Sequence, residues 1–578
     1  MVNLKYTEIL KLNKSLSKKT EGKPYNIGIL SNVTVNSIKE ILEHSCLING
    51  IIPKIEFGNY DNIIQDSLSF SNKDLIIIFY ETLNIVNSIP EYFEDLEDEK
   101  FQKLKVKLFN EIDIIFQNLN KTASVIFNSF SSAYFFNYQL DDSKIDLLVN
   151  ELNSYIKKTK PLNVSVINID KLFTYNGLDK SIDYRFYNSF KAPYTFSFLK
   201  SYVSNIESIL IKNNGKLKKA IIFDCDNTLW SGVVGEDGIN AIDMSPFSSI
   251  GKHFNFIQKL ALYLRNNGVI VGLCSKNNEE DVLDVLRNHK DVVLKEDHIL
   301  IHRINWLDKA TNLLDIASEL NIGTESLIFI DDSLFEINLV KAKMPEVLTY
   351  HSNYQISTYQ AQLLKIINTH FNLSTISKNF DKTNLYREEL KRNAIKQDYS
   401  LIEEYLTSLE INIQIVKNDT KNIPRISELT QKTNQFNLTT HRYTENQIKN
   451  FMENDNSEIY SISVSDKFGE SGLTGACILI QNPENPTEIF IDSFMMSCRI
   501  MGRNIEFAFL NCIINDLLKK GIKFVRATYV KTKKNIPVKD FYELAGFEKN
   551  DQIIDITNYS FIKGKNKIKK INYIKVLH

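Results

Sequence analysis

The stretch from Lys218 to Gly238, KKAIIFDCDNTLWSGVVGEDG, constrains the fold of this chain most strongly. Its apolar run ends in two carboxylates one residue apart, Asp224 and Asp226, and Thr228 follows them. A short apolar run of this kind is typical of a buried β-strand, which would present Asp-x-Asp-x-Thr at its carboxyl end. One aspartate can attack a phosphorus or carbonyl centre while the other gives and takes a proton, and their joint charge calls for a divalent cation. The stretch therefore predicts a metal-dependent phosphoryl-transfer site.

Bulk composition excludes several classes of protein. With 578 residues, 43% of them hydrophobic, the chain can bury several cores. Its 69 basic and 70 acidic residues nearly cancel, so we expect no binding to nucleic acid or to an anionic membrane. The amino-terminal segment lacks the apolar core of a signal peptide, and no run approaches the roughly 18 apolar residues of a membrane span. The six cysteines form no C-x-x-C pair, which indicates neither a zinc site nor a disulfide framework and favours a cytoplasmic protein.

The order of predicted strands and helices divides the chain into three blocks. Residues 1–215 alternate short apolar runs with segments of helical period, which predicts a parallel α/β sheet. Residues 216–375 show the same alternation more clearly, which predicts a doubly wound α/β domain. In such a domain, ligands bind beyond the carboxyl ends of the strands. Residues 376–578 have a strand-rich middle and predict an α+β domain. We therefore expect an α/β protein with a Rossmann-like domain in its centre.

Polar residues also follow the next predicted strand and begin a later helix. The strand at 269–274 runs into Ser275 and Asn277, where a hydroxyl and helix-opening N–H groups can hold a phosphate oxygen. Lys309 begins a predicted helix and can supply a cation to the same phosphate. Together with Thr228, these residues form the predicted phosphate-binding group.

The strand predicted at 326–330 ends in two adjacent carboxylates, Asp331 and Asp332. Such a pair is costly unless it is partnered, and a Mg²⁺ shared with Asp224 is the predicted partner. Each residue alone has an ordinary alternative role as a cap, a turn residue or a solvated side chain. The ordered placement of the whole set at the ends of its strands and helices favours one common site. The predicted metal-binding residues are Asp224, Asp226, Asp331 and Asp332.

These motifs resemble those of the haloacid dehalogenase (HAD) superfamily. Their flanks are similar to the FkbH-like branch of HAD subfamily IIIC, on the strings DCDNTLWSGVVGEDG at 224–238, CSKNN at 274–278 and FIDDS at 329–333. Ser231 stands in place of that branch's usual second glycine. The resemblance implies that Asp224 and Asp332 bind Mg²⁺ by side chain. It also implies that Asp226 contributes its backbone carbonyl to the metal and acts as the acid or base.

The resemblance further implies a departure from simple phosphatase chemistry. In FkbH-like proteins D-1,3-bisphosphoglycerate is bound, the glyceryl unit is captured as an enzyme thioester with loss of phosphate, and it is passed to an acyl carrier protein. The expected substrate is therefore a small phosphorylated three-carbon compound, and the expected pathway is polyketide-type or related secondary-metabolite biosynthesis. Whether Asp224 is a phosphoryl-accepting nucleophile or only a metal ligand stays open.

Thioester capture requires a thiol near the metal, because a thiolate attacks an acyl phosphate readily. Cys274 ends a predicted strand of the site, Cys225 lies between the two aspartates, and Cys498 opens a later loop. Strand alternation turns Cys225 away from the face that Asp224 and Asp226 share. We therefore predict Cys274 as the catalytic thiol, with Cys498 and Cys225 as alternatives and plain burial as the competing interpretation.

The third block carries further resemblances. The string LTQKTNQFNLTT at 429–440 is similar to one that FkbH-like proteins carry after their HAD domain. The strings CRIMGRNIE at 498–506 and PVKDFYELAGF at 537–547 resemble the acetyl-CoA loop and a carboxyl-terminal motif of GNAT acyltransferases. A Gly-Arg turn at a helix start can offer N–H groups to a pyrophosphate, so coenzyme A and the phosphopantetheine arm of a carrier protein are both expected ligands. The predicted binding residues are Asn434, Arg499, Gly502 and Arg503.

The first block resembles the SGNH-hydrolase-like domain that FkbH-like proteins often carry, with Ser31-Asn32 at the nucleophile position. The G-D-S context is missing, and no histidine lies between His44 and His253 to act as its base, so docking or scaffolding is the predicted role. Other functions stay open for the whole chain. They are a plain Mg²⁺-dependent phosphatase of a small metabolite, a non-catalytic or purely acyl-transferring partner of a carrier protein, and transfer of another acyl group in capsule or lipid biosynthesis.

Overall fold

The computed structural model describes residues 4–20, 22–86, 93–135, 143–353, 355–356, 358–371, 401–569 and 571–577, and the single positions 373, 388, 392 and 399. The chain forms two compact units, Met1–Asn214 with Arg442–Glu453, and Gly215–His441 with Asn454–His578. The domain boundary predicted between 375 and 376 lies outside the described residues. Throughout the described ranges, no helix is both long and apolar enough to cross a membrane.

The first unit contains a sheet whose strands all run parallel. The strands are β1 (Pro24–Ser31), β2 (Ile52–Phe57), β3 (Leu75–Phe79), β4 (Ser124–Asn128) and β5 (Val164–Ile167), in the order β2-β1-β3-β4-β5. Alternate residues of the fully buried β3 pack into hydrophobic clusters on opposite faces of the sheet, which is why this strand is apolar throughout. The parallel α/β prediction for this block is therefore confirmed. The helices are Tyr6–Ser17, Ile38–Ile48, Ile63–Ser69, Thr82–Val86, Asp98–Asn118, Lys144–Thr159, Ile169–Asn176, Leu178–Ser181, Tyr184–Phe190, Phe196–Asn213 and Glu445–Glu453.

The second unit begins with another parallel sheet. Its strands are β6 (Ala220–Phe223), β7 (Ile270–Ser275), β8 (Ile301–Ile304), β9 (Leu327–Asp331) and β10 (Leu348–His351), in the order β10-β9-β6-β7-β8. Ile221 and Phe223 pack on one face of the sheet, whereas Ala220 and Ile222 pack on the other. Helices cover both faces, as the doubly wound prediction requires. They are Val234–Asp237, Gly251–Asn266, Glu279–Asn288, Lys309–Glu319, Leu334–Lys343 and Tyr359–His370.

The remainder of the second unit is built on a mixed sheet. Its strands are β11 (Asn412–Lys417), β12 (Ser457–Asp466), β13 (Gly469–Gln481), β14 (Glu488–Met496), β15 (Phe524–Val530), β16 (Glu548–Ile553), β17 (Ile556–Ile562) and β18 (Lys575–Leu577). The order is β16-β17-β15-β14-β13-β12-β11-β18, with parallel pairs at β14-β15 and β11-β18 and antiparallel pairs elsewhere. This arrangement agrees with the α+β prediction. The accompanying helices are Ile402–Ser408, Ile423–Lys432, Ile505–Lys519 and Phe541–Leu544.

Candidate active site

The loop after β6 turns sharply as soon as the strand ends. The N–H of Asp224 donates to the carbonyl of Ile330 on β9 (2.9 Å), which pins the start of the loop to the neighbouring strand. Asn227 then adopts a left-handed conformation with φ of 51°, which asparagine tolerates better than most residues. Its Oδ1 accepts a hydrogen bond from the N–H of Gly232 (3.0 Å), so the side chain closes the turn. The turn holds the first aspartate at the carboxyl edge of the sheet.

Carboxylates from two adjacent strands meet at this edge. One oxygen from each of Asp224, Asp331 and Asp332 lies within 4.8 Å of the others. They meet because β6 and β9 pair in parallel and both end here. Asp224 and Asp331 are buried and Asp332 is partly exposed. A group of oxygen ligands at this spacing suits a hard divalent cation such as Mg²⁺.

Lys309 places a buried positive charge beside these carboxylates. Its Nζ lies 2.9 Å from Oδ1 of Asp224 and 2.6 Å from Oδ2 of Asp331. Burial alone would lower the pKa of Lys309, but attraction to the two carboxylates outweighs it and raises that pKa. The other oxygen of Asp331 accepts from the N–H of Ser333 (2.8 Å). Because both oxygens of Asp331 are engaged, Asp224 and Asp332 are the better placed metal ligands.

The carboxyl groups at this edge favour a bound cation. Burial, followed by repulsion from Asp224, raises the pKa of Asp332 from 3.8 to about 6. The same two causes raise the pKa of Asp331, while Lys309 opposes them. Carboxylates that bind a proton this readily are short of compensating positive charge. The donor set and its charge therefore both fit Mg²⁺, with Asp224 and Asp332 as its side-chain ligands.

Asp226 is oriented by a set of hydrogen-bond donors. Its Oδ1 accepts from Nε1 of Trp230 (2.8 Å) and from the N–H of Val234 (3.1 Å). Its Oδ2 accepts from Nδ2 of Asn277 (2.7 Å). Burial raises the pKa of Asp226, although these three donors oppose the rise. Both carboxylate oxygens of Asp226 are thus engaged, and the side chain is held in a fixed orientation.

The predicted phosphate-binding residues surround the same edge. Ser275 ends β7 and is 2% exposed, and Asn277 is 4% exposed. The Oγ1 of Thr228 is buried, and no described residue offers it a hydrogen-bond partner. A buried hydroxyl without a partner is costly, and a phosphate oxygen would satisfy it. The three residues end or follow β6 or β7 at the carboxyl edge of the sheet, and Asn277 also donates a hydrogen bond to Asp226.

Cys274 lies near this edge but is buried beneath it. The residue is completely buried in a hydrophobic cluster, and its Sγ lies 3.8 Å from the carbonyl oxygen of Lys309. Burial is the largest of the causes that raise the pKa of this thiol, so the reactive thiolate is strongly disfavoured. The predicted catalytic role of Cys274 does not suit this position. A strand alternates its side chains, so the neighbouring Ser275 lies on the other face of the sheet, where its hydroxyl is close to the thiol of Cys225.

The two alternative cysteines are no better placed. Cys225 is also completely buried, and burial raises its pKa well above the ordinary value. Cys498 is partly exposed, but its carbonyl accepts a hydrogen bond from Nδ2 of Asn321 (3.1 Å), which precedes β9. The carboxylates follow the other end of β9. Cys498 therefore lies at the amino edge of the sheet, opposite the metal-binding residues.

The residues predicted to bind pantetheine are only partly available. Arg503 is 5% exposed, its Nη1 lies 3.3 Å from Oδ2 of Asp466, and its Nη2 donates to the carbonyl of Arg499 (2.7 Å). Asp466 is also held by Arg392 through two bonds of 2.8 Å. Arg503 is thus part of a buried ion-pair network. Arg499, Gly502 and Asn434 lie nearer the surface, and Gly502 has the left-handed φ of 78° that suits glycine.

The gap between β14 and β15 is filled by the chain itself. The two strands pair only as far as Ile491 and Ala527. Beyond that point residues 436–438, from the string LTQKTNQFNLTT, lie between them. The backbone hydrogen bonds are Leu438 N to Phe494 O (3.2 Å), Met496 N to Phe436 O (3.0 Å) and Val530 N to Leu438 O (2.8 Å). An extended ligand therefore cannot lie between these strands while this segment is in place.

A buried polar network also fills the carboxyl edge of the first sheet. Ser31 ends β1, and the following Asn32 is 1% exposed. The side chain of Asn32 donates to the carbonyl of Glu81 (3.0 Å) and accepts from its N–H (2.7 Å). The carboxyl group of Glu81, buried as well, accepts from the hydroxyl of Tyr134 (2.7 Å). Asn32 thus anchors the loop after β3 in a buried polar network.

Comparisons with known proteins define the class of fold but no particular protein. No family model matches this chain, and no curated protein sequence matches it. The chain is similar to the crystal structure of the N-terminal part of a Bacteroides fragilis protein that contains a phosphatase domain and is complexed with Mg. That match has a TM-score of 0.54 and 23% identity, and it covers 64% of this chain and 100% of the other. At this identity the likeness shows the fold alone.

Two acetyltransferase structures match more weakly. One is a putative acetyltransferase of the GNAT family from Desulfovibrio desulfuricans, with a TM-score of 0.22 and 12% identity over 26% of this chain and 98% of the other. The second is an N-acetyltransferase from Thermoplasma acidophilum in complex with coenzyme A, with a TM-score of 0.22 and 15% identity over 26% of this chain and 98% of the other. These scores are too low to define the fold of the third block.

Proposed function

We propose that this chain is a Mg²⁺-dependent enzyme of the HAD superfamily that acts on a phosphorylated substrate, by glyceryl transfer with release of phosphate or by hydrolysis. The observation that carries this proposal is the set of carboxylates from Asp224, Asp331 and Asp332 within 4.8 Å of one another, with the buried cation of Lys309 beside them. Simple structural capping would not require such a concentration of buried charge, because isolated buried charges are costly. A site that binds a metal and a phosphate uses every one of these groups.

In this proposal, different residues bind the phosphoryl group, transfer the proton and hold the metal. Lys309 stabilises the negative charge of a bound phosphoryl group, and the hydroxyls of Ser275 and Thr228 donate hydrogen bonds to its oxygens. Asp226, held by its donors, gives and takes the proton. When bound to Asp224 and Asp332, Mg²⁺ supplies charge neutralisation for the phosphoryl oxygens. Asp224 acts either as the nucleophile or as a ligand only, and both roles use the same position.

For the substrate we propose D-1,3-bisphosphoglycerate, and for the acceptor an acyl carrier protein, as in FkbH-like proteins. Of the three cysteines considered for this role, Cys274 and Cys225 are buried and Cys498 lies at the opposite edge of the sheet. We therefore assign the attacking thiol to the phosphopantetheine arm of the carrier. Its sulfur forms a bond to the acyl carbon, the bond between that carbon and the phosphate oxygen breaks, and phosphate leaves with the electron pair. The thiol proton passes to Asp226.

A plain phosphatase is the second candidate function. The burial of Cys274 and Cys225 agrees with hydrolysis as well, because water is then the acceptor and no protein thiol is needed. In both cases the first block serves as an SGNH-like docking domain. The GNAT-like third block recognises the carrier in the first candidate function and the substrate in the plain phosphatase. The carrier, in this proposal, belongs to secondary-metabolite biosynthesis.

Mass spectrometry of the intact protein distinguishes these functions. The protein is incubated with Mg²⁺ and D-1,3-bisphosphoglycerate generated in situ, with or without pantetheine as a thiol acceptor. We expect phosphate release, a glyceryl thioester on pantetheine and no adduct on the protein. Glyceryl bound to the wild type and absent from Cys274→Ala would contradict our assignment of the thiol. Phosphate release without any thioester would establish the plain phosphatase instead.

A further inference from the structure

A buried glutamine contacts the loop that carries Asp226. Gln258 lies on helix Gly251–Asn266 and is 1% exposed. Its Nε2 donates a hydrogen bond to the carbonyl of Leu229 (2.7 Å). This carbonyl belongs to the peptide group that joins Leu229 to Trp230, so the hydrogen bond fixes the backbone on which the indole of Trp230 is mounted.

The side-chain amide of Gln258 has a partner for each of its donors and lone pairs. Its Oε1 accepts from the N–H groups of Val293 (2.8 Å) and Leu294 (3.1 Å), and its Nε2 also lies 3.2 Å from Sδ of Met244. An amide side chain offers two N–H donors and an oxygen with two lone pairs, which are all used here. Gln258 therefore ties the loop after β6 to a second segment of the chain through hydrogen bonds that are costly to break in the core.

Trp230 extends this connection to Asp226. Its indole is completely buried and packs in the same hydrophobic cluster as Phe254 and Ile257, which lie on the helix of Gln258. Its Nε1 donates to Oδ1 of Asp226 (2.8 Å). A large ring in a close-packed core cannot turn without displacing its neighbours. The position of the Trp230 backbone therefore decides where the indole N–H points.

The two carboxylate oxygens of Asp226 are engaged unequally. Oδ1 accepts from Trp230 and from the N–H of Val234, whereas Asn277 is the one donor to Oδ2 among the described residues. Two donors occupy both lone pairs of Oδ1, and Oδ2 keeps one lone pair for another partner. Oδ2 is therefore the oxygen through which Asp226 can take and give a proton.

We infer that Gln258 is a positioning residue of the active site, which fixes the indole of Trp230 and, through it, the orientation of the Asp226 carboxylate. Gln258 acts through hydrogen bonds to the loop, because its own amide is fully occupied in the core. A displacement of about 1 Å at a reacting group can cost about a hundredfold in rate. The inference rests on the proposed function for the role of Asp226, whereas the connection from Gln258 to Trp230 is independent of it.

Steady-state kinetics of phosphate release test the inference with a matched control. Gln258→Leu removes the amide, and we expect kcat to fall about tenfold or more while KM changes by less than about twofold, because substrate binding is retained and orientation is lost. Asn255→Leu is the control. Asn255 is a buried amide three residues earlier on the same helix, and its Nδ2 donates to the carbonyl of Met244 (3.3 Å). An equal fall in kcat for the two variants would overturn the inference.

A second substitution keeps the test sharp if the leucine variant does not fold. Gln258→Glu retains an oxygen for the N–H groups of Val293 and Leu294 but loses the N–H group that donates to Leu229. Measured at pH 8, it should show the same fall in kcat at nearly constant KM. A kcat equal to that of the wild type would overturn the inference.

A double-mutant cycle tests whether Gln258 acts through Trp230. Trp230→Phe keeps an aromatic ring and removes the N–H group that donates to Asp226, so its kcat should fall about as far as that of Gln258→Leu. The double variant should be slower than the slower single variant by less than about twofold, because both changes interrupt one connection. Effects that multiply in the double variant would overturn the inference.

Tryptophan fluorescence supplies a measurement that needs no catalytic activity. The chain has two tryptophans, and Trp306 is 71% exposed, so Trp306→Phe leaves Trp230 as the only source of tryptophan emission. In that background Gln258→Leu should shift the emission to longer wavelength and increase its quenching by acrylamide, because the indole gains contact with water. Asn255→Leu should change neither. Unaltered emission in Gln258→Leu would overturn the inference, whereas the expected shift in a protein that releases no phosphate would contradict the proposed function alone.

Discussion

Lys309 Nζ lies 2.6 Å from Oδ2 of Asp331, and both side chains are at least 95% buried. Asp331 ends β9 and Lys309 begins helix Lys309–Glu319, so the pair joins a strand end to a helix start. The same Nζ contacts Asp224, 2.9 Å away. The buried pair thereby fixes the position of the cation that faces a bound phosphoryl group.

Replacing Lys309 by methionine should reduce both stability and activity. The substitution leaves Asp331 buried beside Asp224 without its cation, and breaking a buried pair in this way costs about 3–5 kcal/mol. Phosphate release should fall by about a hundredfold or more, because a preorganised charge is lost. Urea unfolding and a phosphate assay measure the two effects. Lys343→Met is the control: its exposed side chain pairs with Asp308 at 3.1 Å, and we expect a change of about 1 kcal/mol or less. Equal stability of the two variants would contradict the account.

The protein without metal should lose stability as the pH rises from about 4 to about 6. Burial and repulsion from Asp224 raise the pKa of Asp332 from 3.8 when unfolded to about 6 when folded. The folded state therefore binds the proton more tightly, and this stabilisation is present below pH 3.8 and is lost as the pH rises through about 6. Unfolding measured with EDTA between about pH 4 and 7 should show a smaller loss of unfolding free energy for Asp332→Asn than for the wild type. Mg²⁺ at pH 7 should stabilise the wild type but not this variant, and an equal effect on both would exclude Asp332 as a ligand.

A second pH effect is expected in the third block, far along the chain from the carboxylates. Burial raises the pKa of Glu506 from 4.5 to about 7, and a hydrogen bond from its backbone and the charge of Lys569 oppose the rise only in part. Stability from its protonated form is lost as the pH rises through about 7. Glu506→Gln should therefore be more stable than the wild type at pH 8 and similar to it at pH 5, as measured by thermal unfolding. The exposed Glu484→Gln should show no such difference between the two pH values.

The segment between β14 and β15 should behave as part of the core. Leu438 is completely buried there, so Leu438→Ala should lower the free energy of unfolding by about 2–5 kcal/mol. Leu544 is 60% exposed, and Leu544→Ala should change the free energy of unfolding by about 0.5 kcal/mol or less. Chemical unfolding of both variants measures the difference. If Leu438→Ala were as stable as the wild type, the segment would be a detachable plug and the gap would be open to a ligand.

The edge that carries the carboxylates could be predicted from sequence because parallel strands end together. Apolar runs locate β6 and β9, and the polar residues that follow each run must then meet at one edge. The hydrogen bond from Trp230 to Asp226 was not predicted, because it depends on the turn of the loop rather than on a regular period. The four-residue spacing between them is the only sequence signal that could have suggested it.

The direction of Cys274 and the position of residues 436–438 could not be predicted in the same way. Cys274 and Ser275 are neighbours at the end of β7, and strand alternation places them on opposite faces of the sheet without showing which residue lies on which face. The segment 436–438 bonds to strands more than fifty residues later in the chain. Such long-range pairing follows from tertiary packing, which local patterns do not record.

Phosphate release from D-1,3-bisphosphoglycerate, measured against Mg²⁺ concentration, tests the central claim most directly. The wild type and Cys274→Ala should show the same saturable dependence on Mg²⁺. Asp224→Asn and Asp332→Asn should be slower by about a hundredfold or more, because each removes a charge from the reacting centre. A rate that is unchanged by EDTA, or that survives both aspartate substitutions, would contradict the assignment of this edge as the active site.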